Sequence, residues 1–171
     1  MKRTLLFLLS CFCSIGSHAS ASPLALGAPA PELTAVDQEG KPVNFADVYA
    51  KGITLVYFYP KAGTSGCTAE ACSLRDNYDK LQAQGLQIIG VSHDTVDAQK
   101  RFEVQNKLPF ILVADTDGKV AQAFGVPTMG ILPFYSRQSF LVKDGKVVWS
   151  SLKAQTKGSA KEVQVALDGL K

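Results

Sequence analysis

The chain has 171 residues, 46% hydrophobic and 19% charged, which suits one globular domain with a sizeable core and leaves no room for a second. Setting aside Lys2 and Arg3 from its 18 basic residues leaves 16 against 15 acidic ones, a balance that removes any electrostatic case for nucleic acid as partner.

The first elements in the chain concern export. Lys2 and Arg3, an apolar run from Leu5 to Ile15 and the small residues Ala19-Ser20-Ala21 are the three parts of a secretory signal peptide, with cleavage expected after Ala21. The apolar run falls short of the ~20 residues a spanning helix needs. Residues 1–21 are therefore expected to leave, and residues 22–171 to form an exported, periplasmic domain without membrane insertion. A lipid anchor at Cys11 is the alternative. Once Cys11 and Cys13 go with the leader, Cys67 and Cys72 are the cysteines that remain. In an exported chain, such a pair is ordinarily a structural disulfide.

Ser22 to Leu33 is rich in Pro and Ala and is expected to be an extended lead-in. Leu33 to Val36 and Val43 to Phe45, around Asp37-Gln-Glu-Gly-Lys-Pro42, predict a small hairpin. Ile53 to Tyr59 is β-branched and aromatic throughout, as a strand buried on both faces at a sheet centre should be. A helical pattern then runs from about Cys67 to Gln84 and stops at Gly85. Leu86 to Val91 and Phe110 to Val113 are short apolar strands, separated by a polar helix that Asp94 or Thr95 can cap. Strands alternating with helices predict an α/β fold with parallel pairing. Ser139 to Val142 and Val147 to Trp149 flank Asp144-Gly145, a strong hairpin signal. Ser159-x-x-Glu162 reads as a capping box for a final helix whose Ala160, Val163, Leu167 and Leu170 share one face.

The two cysteines lie at the start of the first long helix. Ala71, Leu74, Tyr78 and Leu81 define its buried stripe, and extending the stripe back one turn reaches Cys67. Cys72 follows five residues later, about 500° of rotation, so it points roughly 140° away. In an unbroken helix the two Cα atoms stand about 8 to 9 Å apart, beyond the roughly 7 Å that a disulfide spans. Bridging requires an unwound turn, or a helix that begins only after Cys72. The second case keeps a permanent structural disulfide open as a reading.

Other chemistries fit less well. The chain has two histidines, His18 in the leader and His93, so no metal site with zinc-like spacing is expected and no cofactor is implied. His93 reads as a solvated loop residue. A Cys-x-x-Cys motif is absent. A thiolate at a helix N-terminus, however, gains from the dipole and from free N–H groups. Such a thiolate attacks peroxide to give a sulfenic acid, which a second thiol converts to a disulfide. Cys67 occupies that position, and Cys72 comes within its reach once the helix frays.

The pattern Pro60-x-x-x-Thr64-x-x-Cys67 resembles the active-site signature of the peroxiredoxins. The blocks GAPAPEL, DQEGKPVNFAD, FYPKAGTSGCTAEACSLRD, GVSHD, LPFILVADTDGKVAQAFGV, YSRQSFLVKDGKVV and KGSAKEV follow in the order seen in the bacterioferritin comigratory protein, or peroxiredoxin Q, branch, over about residues 23 to 170. The resemblance implies a peroxiredoxin-type thioredoxin fold, a central mixed sheet flanked by helices with an N-terminal hairpin. It implies a monomeric thiol peroxidase acting on peroxides, with Cys67 peroxidatic, Cys72 resolving within the same helix, and a thioredoxin-like or other dithiol reductant. It further implies that Thr64 hydrogen-bonds the peroxide, that Pro60 shields the pocket from water and that Arg137 holds positive charge near Cys67. Without the family, Arg137 is an ordinary surface arginine. Glu70 reads either as a carboxylate that orients an arginine or as a surface group at the helix dipole. Two rivals stand beside this reading: a thiol-disulfide oxidoreductase acting on envelope proteins, and a non-enzymatic domain with a structural disulfide.

Ala62, Ser65, His93 and Ser159 depart from the branch's usual residues, and none belongs to the implied catalytic set. Ser65 replaces a proline, whose fixed φ would stiffen the turn before Cys67. Ser65→Pro should therefore slow amide hydrogen exchange around Cys67; unchanged exchange would remove the argument that this turn opens readily.

Overall fold

The computed structural model describes residues 22–170, so the expected leader and its cleavage site at Ala21 lie outside the described residues. The expected hairpin is present as Thr34–Val36 (β1) and Pro42–Asn44 (β2), paired antiparallel. Asn44 then caps a short helix, Phe45–Tyr49 (α1), by accepting from Ala46 N at 3.0 Å.

The main sheet has five strands in the order β5-β4-β3-β6-β7. Thr54–Phe58 (β3) lies at its centre, as its unbroken apolar run requires. It pairs in parallel with Gln87–Ser92 (β4), which pairs in parallel with Ile111–Ala114 (β5). On its other side it pairs antiparallel with Gln138–Lys143 (β6), joined through the Asp144-Gly145 turn to Lys146–Ser151 (β7). Asp144 and Gly145 both have positive φ, 51° and 69°, as a tight hairpin turn demands. The lead-in covers the start of β7, with Gly27 N donating to Val147 O and Ala30 N to Gly145 O, both at 2.8 Å. That contact blunts an otherwise open sheet edge.

Side-chain alternation along β3 divides the core in two. Val56 and Phe58 face a layer built from α1 and Lys119–Phe124 (α5). Leu55, Tyr57 and Tyr59 face Ser65–Asp76 (α2), Val96–Asn106 (α4) and Ser159–Asp168 (α6). Thr95 caps α4 by accepting from Ala98 N at 3.3 Å, which settles the choice between it and Asp94.

Two helix expectations need correction. The pattern over 67–84 is two helices, α2 and Tyr78–Gln82 (α3), broken at Asn77, and α2 begins two residues before Cys67. At the break Asn77 Nδ2 donates to Ser73 O at 2.9 Å, so the side chain ends one helix while the Asn77 carbonyl starts the next by accepting from Leu81 N at 3.0 Å. Ser159 is not a capping residue. Gly158 takes that place, and Glu162 instead accepts from Gln155 N at 3.0 Å and from Ser151 Oγ at 2.6 Å, tying α6 to β7. Among the described residues no helix is long and apolar enough to cross a membrane.

Tyr57 lies against Gly90 on the neighbouring strand so closely that a Cβ there would sit 2.7 Å from the ring. With Tyr57 fully buried and stacked on Tyr59 at 5.4 Å, the ring has nowhere to retreat. Gly90→Ala should cost about 1–3 kcal/mol and lower the thermal midpoint measured by circular dichroism by several degrees.

Candidate active site

Strand β3 ends at Phe58, and the N–H of Tyr59 just beyond it still donates to Val91 O at 3.1 Å. The half-buried Pro60 follows and the chain turns through Gly63, at φ 77°, to Thr64. Thr64 is the capping residue of α2, extended at φ −75° and ψ 152°. Its hydroxyl donates to Lys61 O at 3.0 Å inside the loop, rather than capping the helix. The first intrahelical bond runs from Thr68 N to Thr64 O at 2.8 Å, so the N–H groups of Ser65, Gly66 and Cys67 have no carbonyl one turn behind them. Cys67 sits in this first turn with 1% of its surface exposed.

Arg137 reaches the same point from the residue before β6. Its Nη2 donates to Cys67 Sγ at 3.3 Å and its Nη1 pairs with Glu70 Oε2. Glu70 has no exposed surface, and the Arg137 side chain is 17% exposed. Cys67, Glu70, Ala71 and Leu74 are the buried residues of α2, one stripe at helical spacing. Of the two readings of Glu70, the arginine-orienting one holds. The signal lay in the spacing: Glu70 is one turn from Cys67 and next to Ala71, on the stripe rather than the surface.

Burial pushes the Glu70 carboxyl up to about 8, with Arg137 pulling the other way. Desolvation opposes the charge on Arg137, but Glu70 and Cys67 outweigh it and hold the guanidinium above its ordinary value. Beneath the pair, burial also raises the Tyr57 hydroxyl well above the ordinary phenol value, and neighbouring Tyr59, Glu70 and Cys67 add to the rise. The Tyr57 hydroxyl and Glu70 Oε1 have no hydrogen-bond partner among the described residues. Chemically, the site holds a sulfur that accepts from a permanent cation, at a helix N-terminus, with the Glu70 carboxyl group fixing the cation.

Cys72 stands apart. Both cysteines are free thiols, in an α2 unbroken from Ser65 to Asp76. The Cys72 thiol faces the end of α4, 3.8 Å from Asn106 Oδ1. Beside it Arg75 Nη1 donates to Asn106 O at 2.6 Å, one of the carbonyls that the helix end leaves without a partner. The structure thus gathers Cys67, Arg137 and Glu70, puts Thr64 and Pro60 on the loop that leads into them, and leaves Cys72 on another face of the helix. His93 is half-buried with its ring edge-on to Tyr135 at 6.0 Å, rather than solvated. No group of three or more His, Cys, Asp or Glu able to hold a metal occurs among the described residues.

A family model described as the AhpC/TSA family matches residues 26–150. The chain belongs to the AhpC/TSA family. Within it, peroxiredoxin Bcp of Escherichia coli (strain K12) is 44% identical over 105 residues, covering 61% of this chain and 67% of that protein. The chloroplastic peroxiredoxin Q of Sedum lineare is 39% identical over 124 residues, 71% of this chain and 65% of its own length. The AhpC/TSA chain thus spans about two thirds of the length of these relatives. Among solved structures it superposes on peroxidoxin BcpB from Mycobacterium tuberculosis with TM-score 0.80 at 28% identity, covering 85% of this chain and 97% of that one. Peroxiredoxin Q of Xanthomonas campestris gives TM-score 0.77 at 27% identity, covering 87% and 98%. The fold is therefore the peroxiredoxin-type thioredoxin fold, and the relatives named above are peroxiredoxins of the Q and Bcp type.

The raised carboxyl makes stability depend on pH. Glu70 binds its proton more tightly folded than unfolded, so its contribution is full below the ordinary value of 4.5 and is lost as pH rises through about 8. Glu70→Gln should flatten the pH dependence of the unfolding free energy across that window. Urea unfolding at a series of pH values checks this, and an unchanged slope contradicts it.

Proposed function

We propose that this chain reduces hydrogen peroxide and organic hydroperoxides through Cys67. The observation that carries the reading is the contact of Arg137 Nη2 with Cys67 Sγ at 3.3 Å, in the first turn of a helix preceded by Pro60 and Thr64. A guanidinium and free N–H groups beside the sulfur favour negative charge on it and on the oxygens that approach it. The Cys67 thiolate attacks the nearer peroxide oxygen, the O–O bond breaks, and the departing oxygen leaves as water or alcohol after taking a proton. Cys67 is left as a sulfenic acid. Because the Thr64 proton is held on Lys61 O, the Thr64 oxygen meets the peroxide as an acceptor of its O–H. Pro60 screens the same pocket from water.

In the second half, the Cys72 thiol displaces hydroxide from the Cys67 sulfenic acid, releasing water and forming a Cys67–Cys72 disulfide. Helix spacing of about 8 to 9 Å between their Cα atoms makes unwinding of α2 a requirement of this step. A thioredoxin-like or other external dithiol then reduces the disulfide and is itself oxidised. Because Cys67 and Cys72 lie in one helix, the disulfide needs no second copy of the chain, which supports action as a monomer. The leader-like residues 1–21 support a periplasmic site of action, for antioxidant defence in the cell envelope. The alkyl peroxide reduction activity described for Xanthomonas campestris bacterioferritin comigratory protein, 26% identical with TM-score 0.77, supports organic hydroperoxides as substrates here.

The test treats reduced residues 22–171 with stoichiometric hydrogen peroxide and follows the thiols by mass spectrometry. The parent should form an intramolecular disulfide, Cys72→Ser should accumulate sulfenic and then sulfinic acid at Cys67, and Cys67→Ser should scarcely react. Equal, slow thiol loss in both variants would show that the peroxidase reading is wrong.

A further inference from the structure

The loop from Pro60 to Thr64 is tied at its middle to the sheet by one carboxylate. Ala62 N donates to Asp94 Oδ2 at 2.7 Å, and Ser92 Oγ donates to the same oxygen at 2.7 Å. Behind Ser92, Gln99 Nε2 donates to Ser92 Oγ at 2.9 Å and to Val113 O at 2.8 Å, and the Gln99 amide oxygen accepts from the Tyr59 hydroxyl. Tyr59, Ser92 and Gln99 have no exposed surface.

Each link in this chain has one possible direction. Val113 O can accept but not donate, which turns the Gln99 NH2 toward it and the amide oxygen toward Tyr59. Ser92 Oγ accepts a hydrogen bond from Gln99, which leaves its own hydroxyl to donate to the Asp94 carboxylate. The carboxylate is therefore aimed from within the core, drawing on β4, α4, β5 and the residue that follows β3. The loop's other ties are softer. Thr64 bonds to Lys61 within the loop itself, and Lys61 Nζ lies 5.5 Å from the Phe134 ring centre at an exposed site. Gly63, at φ 77°, is a natural pivot between Ala62 and Thr64.

We propose that Asp94 is a positioning residue for peroxide reduction, holding Ala62 so that the Thr64 hydroxyl and the first turn of α2 meet peroxide in reactive alignment at Cys67. It rests on the peroxidase reading of Cys67. Misplacing a reacting group by about 1 Å costs on the order of 100-fold in rate, and Asp94 acts only through that placement.

The experiment compares the parent with Asp94→Ala, Asp94→Asn, Thr64→Val and the Asp94→Ala, Thr64→Val double variant. Two rates are measured at Cys67, oxidation by hydrogen peroxide and alkylation by iodoacetamide, together with hydrogen exchange at the Ala62 amide. Asp94→Ala should lose Ala62 protection and oxidise about 10- to 100-fold more slowly, while alkylation stays near the parent rate. Asp94→Asn should recover most of the loss, since an amide oxygen accepts the same two protons. The double variant should be little slower than Thr64→Val alone, because both changes remove one alignment. If Asp94→Ala does not fold, Ser92→Ala, which keeps the carboxylate but unties it from the core, should show a smaller loss of the same kind. A parent-like oxidation rate in Asp94→Ala or its substitute, equal falls in oxidation and alkylation, or additive losses in the double variant would overturn the inference. A parent that does not oxidise at Cys67 would instead overturn the peroxidase reading, so the two failures are distinct.

Discussion

The contact between Glu70 and Arg137 is the constraint around which the site is arranged. A carboxyl group with no exposed surface is tolerated only where a cation or a hydrogen-bond donor reaches it. Arg137 comes from a distant part of the chain, just ahead of β6, and supplies both. Removing Glu70 strands the largely buried Arg137 charge, and losing one partner of such a pair costs about 3–5 kcal/mol. The pair therefore does more than join α2 to the sheet. By occupying one arm of the guanidinium, Glu70 leaves the other arm pointing at Cys67 Sγ, and the planar fork of arginine is the side chain suited to such a two-point hold.

Central strand β3 makes that arrangement possible. Its antiparallel neighbour β6 brings Arg137 alongside its C-terminal end, and its parallel neighbour β4 brings Ser92 and Asp94 to the same end. The loop that carries Pro60 and Thr64 leaves the sheet between these two supports. The stacked rings of Tyr57 and Tyr59 form the floor beneath α2. Loop, floor and cation thus converge because one strand is buried on both faces and paired on both edges.

Much of this was legible in the sequence, and the reasons are particular. The apolar run from Ile53 to Tyr59, the Asp144-Gly145 turn and the stop at Gly85 are local signals that no tertiary contact overrides. The break at Asn77 was hidden because the stripe of Ala71, Leu74, Tyr78 and Leu81 passes through it in register; a side-chain bond to Ser73 O, not a change of pattern, divides the helix. Helices α1 and α5 are five and six residues long, too short for a period to declare itself. Asp115 holds the start of α5 by accepting from Val120 N at 3.0 Å and Ala121 N at 2.9 Å, a device without a distinctive spacing. Arg137 was identified through family resemblance alone, since nothing local distinguishes it from a surface arginine. Glu70 was open to reading from the stripe, although charge argued for the surface.

The division at Asn77 also bears on how stability is distributed. Helix α2 is 12 residues long, a length at which a helix in water is marginal without packing partners. Because its hydrogen-bond ladder ends at Asn77, α2 is a separate cooperative unit from α3, whose own ladder starts there. Such a unit can melt and reform without drawing α3 or the sheet with it. The free energy of that excursion is then set by a handful of contacts at Cys67, Glu70, Ala71 and Leu74, and is much smaller than the free energy of global unfolding.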